Sequence, residues 1–336
     1  MDHRLRERLR ARLAQERGYY RYPAGARTRF ALVYPNTYFV GMSNLGLHIV
    51  YALLNERSDT ACERVFLPDR DEMPRYVRTN TPMMSVETQT PLADFAIVGF
   101  AISFEMDYFH VAEMLARSHI TPLAADRTAH DPLVIAGGPC ATFNPEPLAA
   151  LIDAFVIGEG EAILPAMMDA YHAGLHAGDD RTALLQRLSH VPGVYVPALY
   201  TPAYDAVGHL TALLPQAGAP SHVARQWVED LDAHPAHTVV ITDDTEFSFY
   251  LIETARGCGR HCRFCGLLLS APAQPLSRRH RGRGARRPCL RQKDRTHGCG
   301  DLGLPRDRCP LPLHSRRGPL YVGRVLPRGL RDEGTR

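Results

Sequence analysis

Only one lysine, Lys293, stands among the 39 basic residues of this 336-residue chain, and only one tryptophan, Trp227. No stretch approaches the ~18 uninterrupted apolar residues that span a bilayer, so no transmembrane helix is expected. The start, Met1-Asp-His-Arg-Leu-Arg-Glu-Arg8, lacks the apolar core of a secretory signal, and the chain is expected to be cytoplasmic. The eight cysteines then read as thiols or metal ligands rather than a disulfide frame. No Gly-x-Gly-x-x-Gly follows the first apolar run, which argues against a dinucleotide site. Residues 271–336 contain no Ile, Met, Phe, Trp or Asn, and neither a helical nor a strand period survives in Arg278–Arg287.

The net charge of +3 is unevenly spread. Residues 271–336 hold 17 basic against 5 acidic side chains, and the rest of the chain holds 22 against 31. The length allows more than one core. Leu5, Leu9 and Leu13, four apart among charges, predict an amphipathic helix over 1–17. Five short apolar runs then read as buried strands: 29–34, 63–67, 94–103, 132–136 and 154–157. Helices are expected between them at 47–54 and 105–118, and after them at 162–172.

Strands alternating with helices predict a doubly wound parallel sheet of Rossmann-like, flavodoxin-like type, whose ligands sit beyond the carboxyl ends of the strands. The loop from Tyr34 to Gly46, Ser103, the Gly137-Gly138 turn and the Gly158-Glu159-Gly160-Glu161 turn all fall at that edge. Their glycines would let a flat or phosphate-bearing ligand approach the backbone. Residues 173–245 read as a connector of short elements, with Trp227 a packing residue and the acids of Thr242–Phe247 solvated.

The densest chemistry lies at Glu253-Thr-Ala-Arg-Gly-Cys258-Gly-Arg-His-Cys262-Arg-Phe-Cys265, directly after the apolar run Phe249-Tyr-Leu-Ile252. Thiolates are soft ligands suited to zinc or to iron–sulfur clusters. Three of them leave one corner open on a metal or cluster. A zinc site completed by His261, Cys289 or Cys299 stays open on the residues alone.

The spacing Cys-x3-Cys-x2-Cys, with Phe264 before the third cysteine, resembles the signature of the radical S-adenosylmethionine (SAM) superfamily. The resemblance implies that Cys258, Cys262 and Cys265 hold a [4Fe-4S] cluster whose fourth iron binds SAM, with Phe264 near the adenine. It implies reductive cleavage to a 5′-deoxyadenosyl radical for hydrogen abstraction or methyl transfer, and an electron donor such as flavodoxin or ferredoxin. It also implies that Phe249–Thr254 is the first strand of a (β/α) barrel.

Upstream, Tyr34-Pro-Asn-Thr-Tyr38, Gly41-Met-Ser-Asn-Leu-Gly46, Glu63-Arg-Val-Phe-Leu-Pro68, Ile135-Ala-Gly-Gly-Pro139 and Val156-Ile-Gly-Glu-Gly-Glu161 resemble the cobalamin-binding-type domain that precedes many such barrels. That resemblance implies a cofactor site at Asn36, Thr37, Ser43, Gly46, Ser103, Gly137, Gly138, Gly158, Glu159 and Gly160. The Asp-x-His-x-x-Gly stretch of methionine-synthase-like domains is absent, so no protein histidine is expected on cobalt. His48 reads instead as a partly buried helix residue.

The expected division is a helix at 1–28, the cobalamin-binding-type domain at 29–175, a connector at 176–245, the start of a radical SAM core at 246–270 and an irregular basic tail at 271–336. The tail lacks the β/α units a barrel needs, so a truncated or frameshifted end starting near Gly266 is expected. Leu268–Ala273 can be encoded so that one base over it reads Tyr-Tyr-Leu-Arg-Pro. Such a chain would be an incomplete enzyme of doubtful activity. Two other functions remain in view. One is a cobalamin-type or nucleotide-binding module, the other a zinc-containing nucleic-acid binder acting through the tail.

Overall fold

The computed structural model describes residues 2–23, 25, 27–247, 250–257 and 274–275. The chain divides into two compact units, Met1–Glu229 with Val239–Glu246, and Asp230–Thr238 with Phe247–Arg336.

In the first unit, α1 (His3–Ala14) begins at Asp2, whose carboxylate accepts the Leu5 N–H at 3.1 Å. Leu5, Leu9 and Leu13 are all buried, as the four-residue spacing requires. After it come β1 (Thr28–Tyr34), α2 (Tyr38–Met42), α3 (Leu45–Glu56), β2 (Thr60–Phe66), α4 (Met73–Thr79), β3 (Ile97–Ala101) and α5 (Tyr108–Arg117). Next are β4 (Leu133–Gly137), α6 (Pro139–Phe143), β5 (Ala154–Val156), α7 (Gly160–Ala177), α8 (Arg181–Ser189), β6 (Val194–Tyr195), β7 (Tyr200–Tyr204) and β8 (Leu210–Pro215).

Six strands form one sheet in the order β2-β1-β3-β4-β5-β6. The first five are parallel, with Val33 opposite Val65 on one side and Phe100 on the other, while β6 is antiparallel to β5. The order 2-1-3-4-5 is that of flavodoxin-like sheets. Parallel strands are covered on both faces and so read as continuous apolar runs. Ala31, Val33, Ile97, Val98, Val134 and Ala136 are accordingly sealed from water. Each large member stabilises the fold by ~1.5–3 kcal/mol.

Two features differ from the sequence expectation. The stretch after β1 contains a real helical turn, α2, which packs Tyr38 edge-on against Phe66 with ring centroids 5.1 Å apart. Trp227 is 44 % exposed rather than packed. In addition, β6 falls inside the stretch expected as a connector, yet it extends the main sheet.

In the second unit, residues 236–238 lie antiparallel to residues 251–253. Thr238 N–H donates to Leu251 O at 2.9 Å, Leu251 N–H to Thr238 Oγ1 at 2.8 Å, and Glu253 N–H to Ala236 O at 3.0 Å. The described part of the expected barrel strand is therefore a single antiparallel bridge, His237 to Ile252. Beyond it, β9 (Ala255–Arg256) pairs antiparallel with β10 (Gln274–Pro275), and Arg256 is held by Glu253 at 2.8 Å. Cys258, Cys262, Phe264 and Cys265 lie outside the described residues, as does the tail apart from 274–275. Among the described residues no helix is long and apolar enough to cross a membrane.

Candidate functional site

Because β1, β3, β4 and β5 run parallel, their carboxyl ends share one edge of the sheet. Between β1 and β3 the winding reverses, and in open α/β sheets that is where ligands bind. Asn36 sits two residues past β1. Its side-chain oxygen accepts the Thr37 N–H at 2.8 Å, and its amide donates to Asp107 Oδ1 at 2.9 Å. The loop after β1 is thereby tied to the turn after β3.

Asn44 makes a second tie. It caps α3 by accepting the Leu47 N–H at 3.2 Å, and its amide donates to Ser103 Oγ at 3.2 Å. His110, in the first turn of α5, donates from Nδ1 to the Pro35 carbonyl at 2.8 Å and lies 3.4 Å from Asp107 Oδ1. A carbonyl only accepts, so Nδ1 carries a proton, and the tautomer this selects has its lone pair on Nε2. Nε2 has no hydrogen-bond partner among the described residues.

Asp107 is 1 % exposed, and its Oδ2 has no hydrogen-bond partner among the described residues. Burial pushes this carboxyl above the usual carboxylate range, against the pull of Asn36 and His110. Burial raises both the Tyr108 hydroxyl and the Cys140 thiol, with the charge of Glu105 adding to the rise at Cys140. A knot of shifted groups at a sheet edge is a mark of a functional site. Around it Phe39, Phe104, Met106, Phe109 and Phe143 are exposed.

The structure thus brings Asn36, Thr37 and Ser103 together and adds Asn44, Asp107, Tyr108, His110 and Cys140. The one sequence signal for the added groups is Asp107 and His110 three apart at a helix start, spacing that puts both on one side. Ser43 is used locally: its hydroxyl donates to Phe39 O at 2.6 Å and accepts the Glu246 N–H at 2.8 Å. Gly46 lies in the first turn of α3, and a Cβ there would stand 3.0 Å from Asn44 Oδ1.

The later glycine turns face the chain itself. Gly138, at φ +99°, would place a Cβ 2.6 Å from Ile102 O, and Gly137 packs beside Val156. Gly158, at φ +133°, would place one 2.0 Å from Gln226 O. Residues 226–228 run along this turn: Glu159 N–H donates to Gln226 O at 2.9 Å, and the Glu159 carboxylate accepts the Val228 N–H at 2.7 Å. Gly160 opens α7 against Leu164 and Val50. A corrinoid spanning this whole set of positions does not fit, because the Gly158–Glu159 turn is filled by the chain's own backbone.

His48 is buried, with Nε2 3.1 Å from Met42 O and Nδ1 accepting from the Val239 and Val240 amides at 3.3 and 3.4 Å. Both of its nitrogens are spent inside the fold.

Residues 46–197 match the family described as radical SAM proteins, N-terminal. The match takes in all of the main sheet except β1 and stops upstream of the cysteine segment. It supports a radical-SAM-related protein. The chain is also 22 % identical over 237 residues to an uncharacterized protein of Methanocaldococcus jannaschii. The similarity covers 70 % of the chain, which spans only 40 % of that relative's length.

Proposed function

We propose that the chain comprises the N-terminal sheet domain and the cluster-binding segment of a radical SAM iron–sulfur protein, divided near residues 175, 245 and 270. One observation carries the reading: a region matching the N-terminal part of radical SAM proteins shares its chain with Cys258, Cys262 and Cys265 at the expected spacing. Three thiolates suit a [4Fe-4S] cluster with one iron left for SAM, and Phe264 would lie beside the adenine. When bound, the cluster supplies the electron that cleaves SAM for hydrogen abstraction or methyl transfer.

The test is anaerobic iron, sulfide and zinc analysis after reconstitution, with Cys262→Ala alongside. Roughly four irons per chain, lost in the variant, is the expected result. One zinc per chain without iron would replace the proposal with a zinc module.

A second reading concerns the sheet domain alone. The Asn36–Asp107–His110 knot favours a small ligand at the β1/β3 end of the edge. The turns at Gly138 and Gly158 are closed by the chain's own backbone, which argues against a cobalamin-type or nucleotide-type cofactor across them.

A further inference from the structure

The segments that leave β1, β3, β4 and β5 at the carboxyl edge, residues 35–46, 102–110, 137–144 and 157–161, contain no lysine or arginine, whereas the segment after β2 carries Arg70 among Asp69, Asp71 and Glu72. The former do contain Glu105, Asp107, Glu159 and Glu161. Of the cations nearby, Arg12 stands over the Tyr38 ring and is paired with Asp69 at 3.1 Å, and Arg225 lies on the segment beside Gly158, two strands from β3. A phosphate or carboxylate ligand at the β1/β3 end would meet carboxylates and no positive side chain from these loops.

The unsatisfied groups there are of one kind. Asp107 Oδ2 is a buried acceptor with no hydrogen-bond partner among the described residues, and His110 Nε2 is a second open acceptor whose ring is held by Pro35 and Asp107. A buried oxygen without a donor is destabilising until a donor reaches it. Glu105 adds exposed negative charge two residues away. Phe104 and Phe109 are more than half exposed and offer the ring faces on which organic cations rest.

We propose that the β1/β3 end of the sheet binds an organic cation, an aromatic or similarly flat molecule carrying a protonated amine. The ammonium N–H groups would be accepted by Asp107 and His110, and the apolar body would cover Phe104. This rests on the reading that the sheet domain has a ligand site at the switch point, and it names the charge of the ligand. It is independent of the cluster.

The experiment is calorimetric titration of the full-length chain with tyramine, its anionic counterpart 4-hydroxyphenylacetate, and adenosine monophosphate. Tyramine is expected to bind and the two anions not to. Asp107→Asn is expected to weaken tyramine binding at least tenfold, and His110→Ala severalfold, with circular dichroism unchanged. Tighter binding of either anion, no tyramine binding up to millimolar concentration, or equal binding by Asp107→Asn would each overturn the proposal. Iron content measured on the same preparations reports separately on the cluster. Iron bound without tyramine binding removes only this inference.

Discussion

Arg64 and Glu16 meet at 2.6 Å with both side chains sealed from water. The pair joins β2 to the segment just after α1. Arg64 also holds Glu87, at 2.7 Å through Nε and at 2.8 Å through its backbone N–H, and its guanidinium lies 4.9 Å from the Tyr51 ring centre. Tyr38 OH donates to Glu16 at 2.5 Å. Two buried carboxylates thus share one guanidinium, and every partner comes from a different stretch of chain.

Arg64→Met should therefore be far worse than a typical core substitution. It leaves Glu16 and Glu87 buried without their cation, and breaking such a pair costs about 3–5 kcal/mol. Urea unfolding followed by far-ultraviolet circular dichroism measures it. A loss below ~1 kcal/mol would show that water reaches the carboxylates.

Asp107→Asn should stabilise the fold at neutral pH while weakening the site. Burial raises the folded carboxyl above its unfolded value of about 3.9, so the charged form is disfavoured in the native state. With a raised folded pKa, stability is fully present below the unfolded pKa and is lost as pH rises through the folded one. The melting temperature of the variant should exceed that of the wild type at pH 7, and the gap should close towards pH 4. A gap that widens on acidification would reverse the assignment.

Gly158→Ala should detach the Gln226–Val228 segment. The residue sits at φ +133°, and its Cβ would lie 2.0 Å from a backbone oxygen that cannot swing aside. The strain alone is ~1–3 kcal/mol. Trp227 lies within that segment, so tryptophan emission should shift to the red alongside a lower denaturation midpoint.

Cys258→Ser and Cys265→Ser should each abolish reconstituted iron, whereas Cys289→Ser, Cys299→Ser and Cys309→Ser should leave it unchanged. Iron and acid-labile sulfide assays read this directly. Zinc lost on Cys289→Ser would favour the four-ligand zinc alternative.

The sheet was legible in the sequence because buried parallel strands leave unbroken apolar runs such as Phe30–Tyr34 and Leu133–Ala136. The helical turn α2 was not, since its five residues are held by Phe66 rather than by their own periodicity. β8 was missed because Leu210–Pro215 is largely exposed and shows no alternation of apolar and polar residues. At the site, glycines announced close approach correctly but not what approaches. At Gly158 the neighbour is Gln226, far along the chain. Beyond their three-residue spacing, Asp107 and His110 gave no sign in the sequence, because burial and an open hydrogen-bond position appear only once Pro35 and Asn36 are folded beside them.

The strand order carries a consequence for synthesis. Once β1 and β2 have paired, β3, β4 and β5 each join the same advancing side in the order in which they leave the ribosome. A sheet of this kind can lengthen by accretion, never waiting for a distant partner, and domains emerging N-terminal first profit from that. The growing front stays adhesive until β6 arrives, only two residues long and reversed in direction. Its brevity leaves little template for a further strand, so it works as a terminator for the sheet.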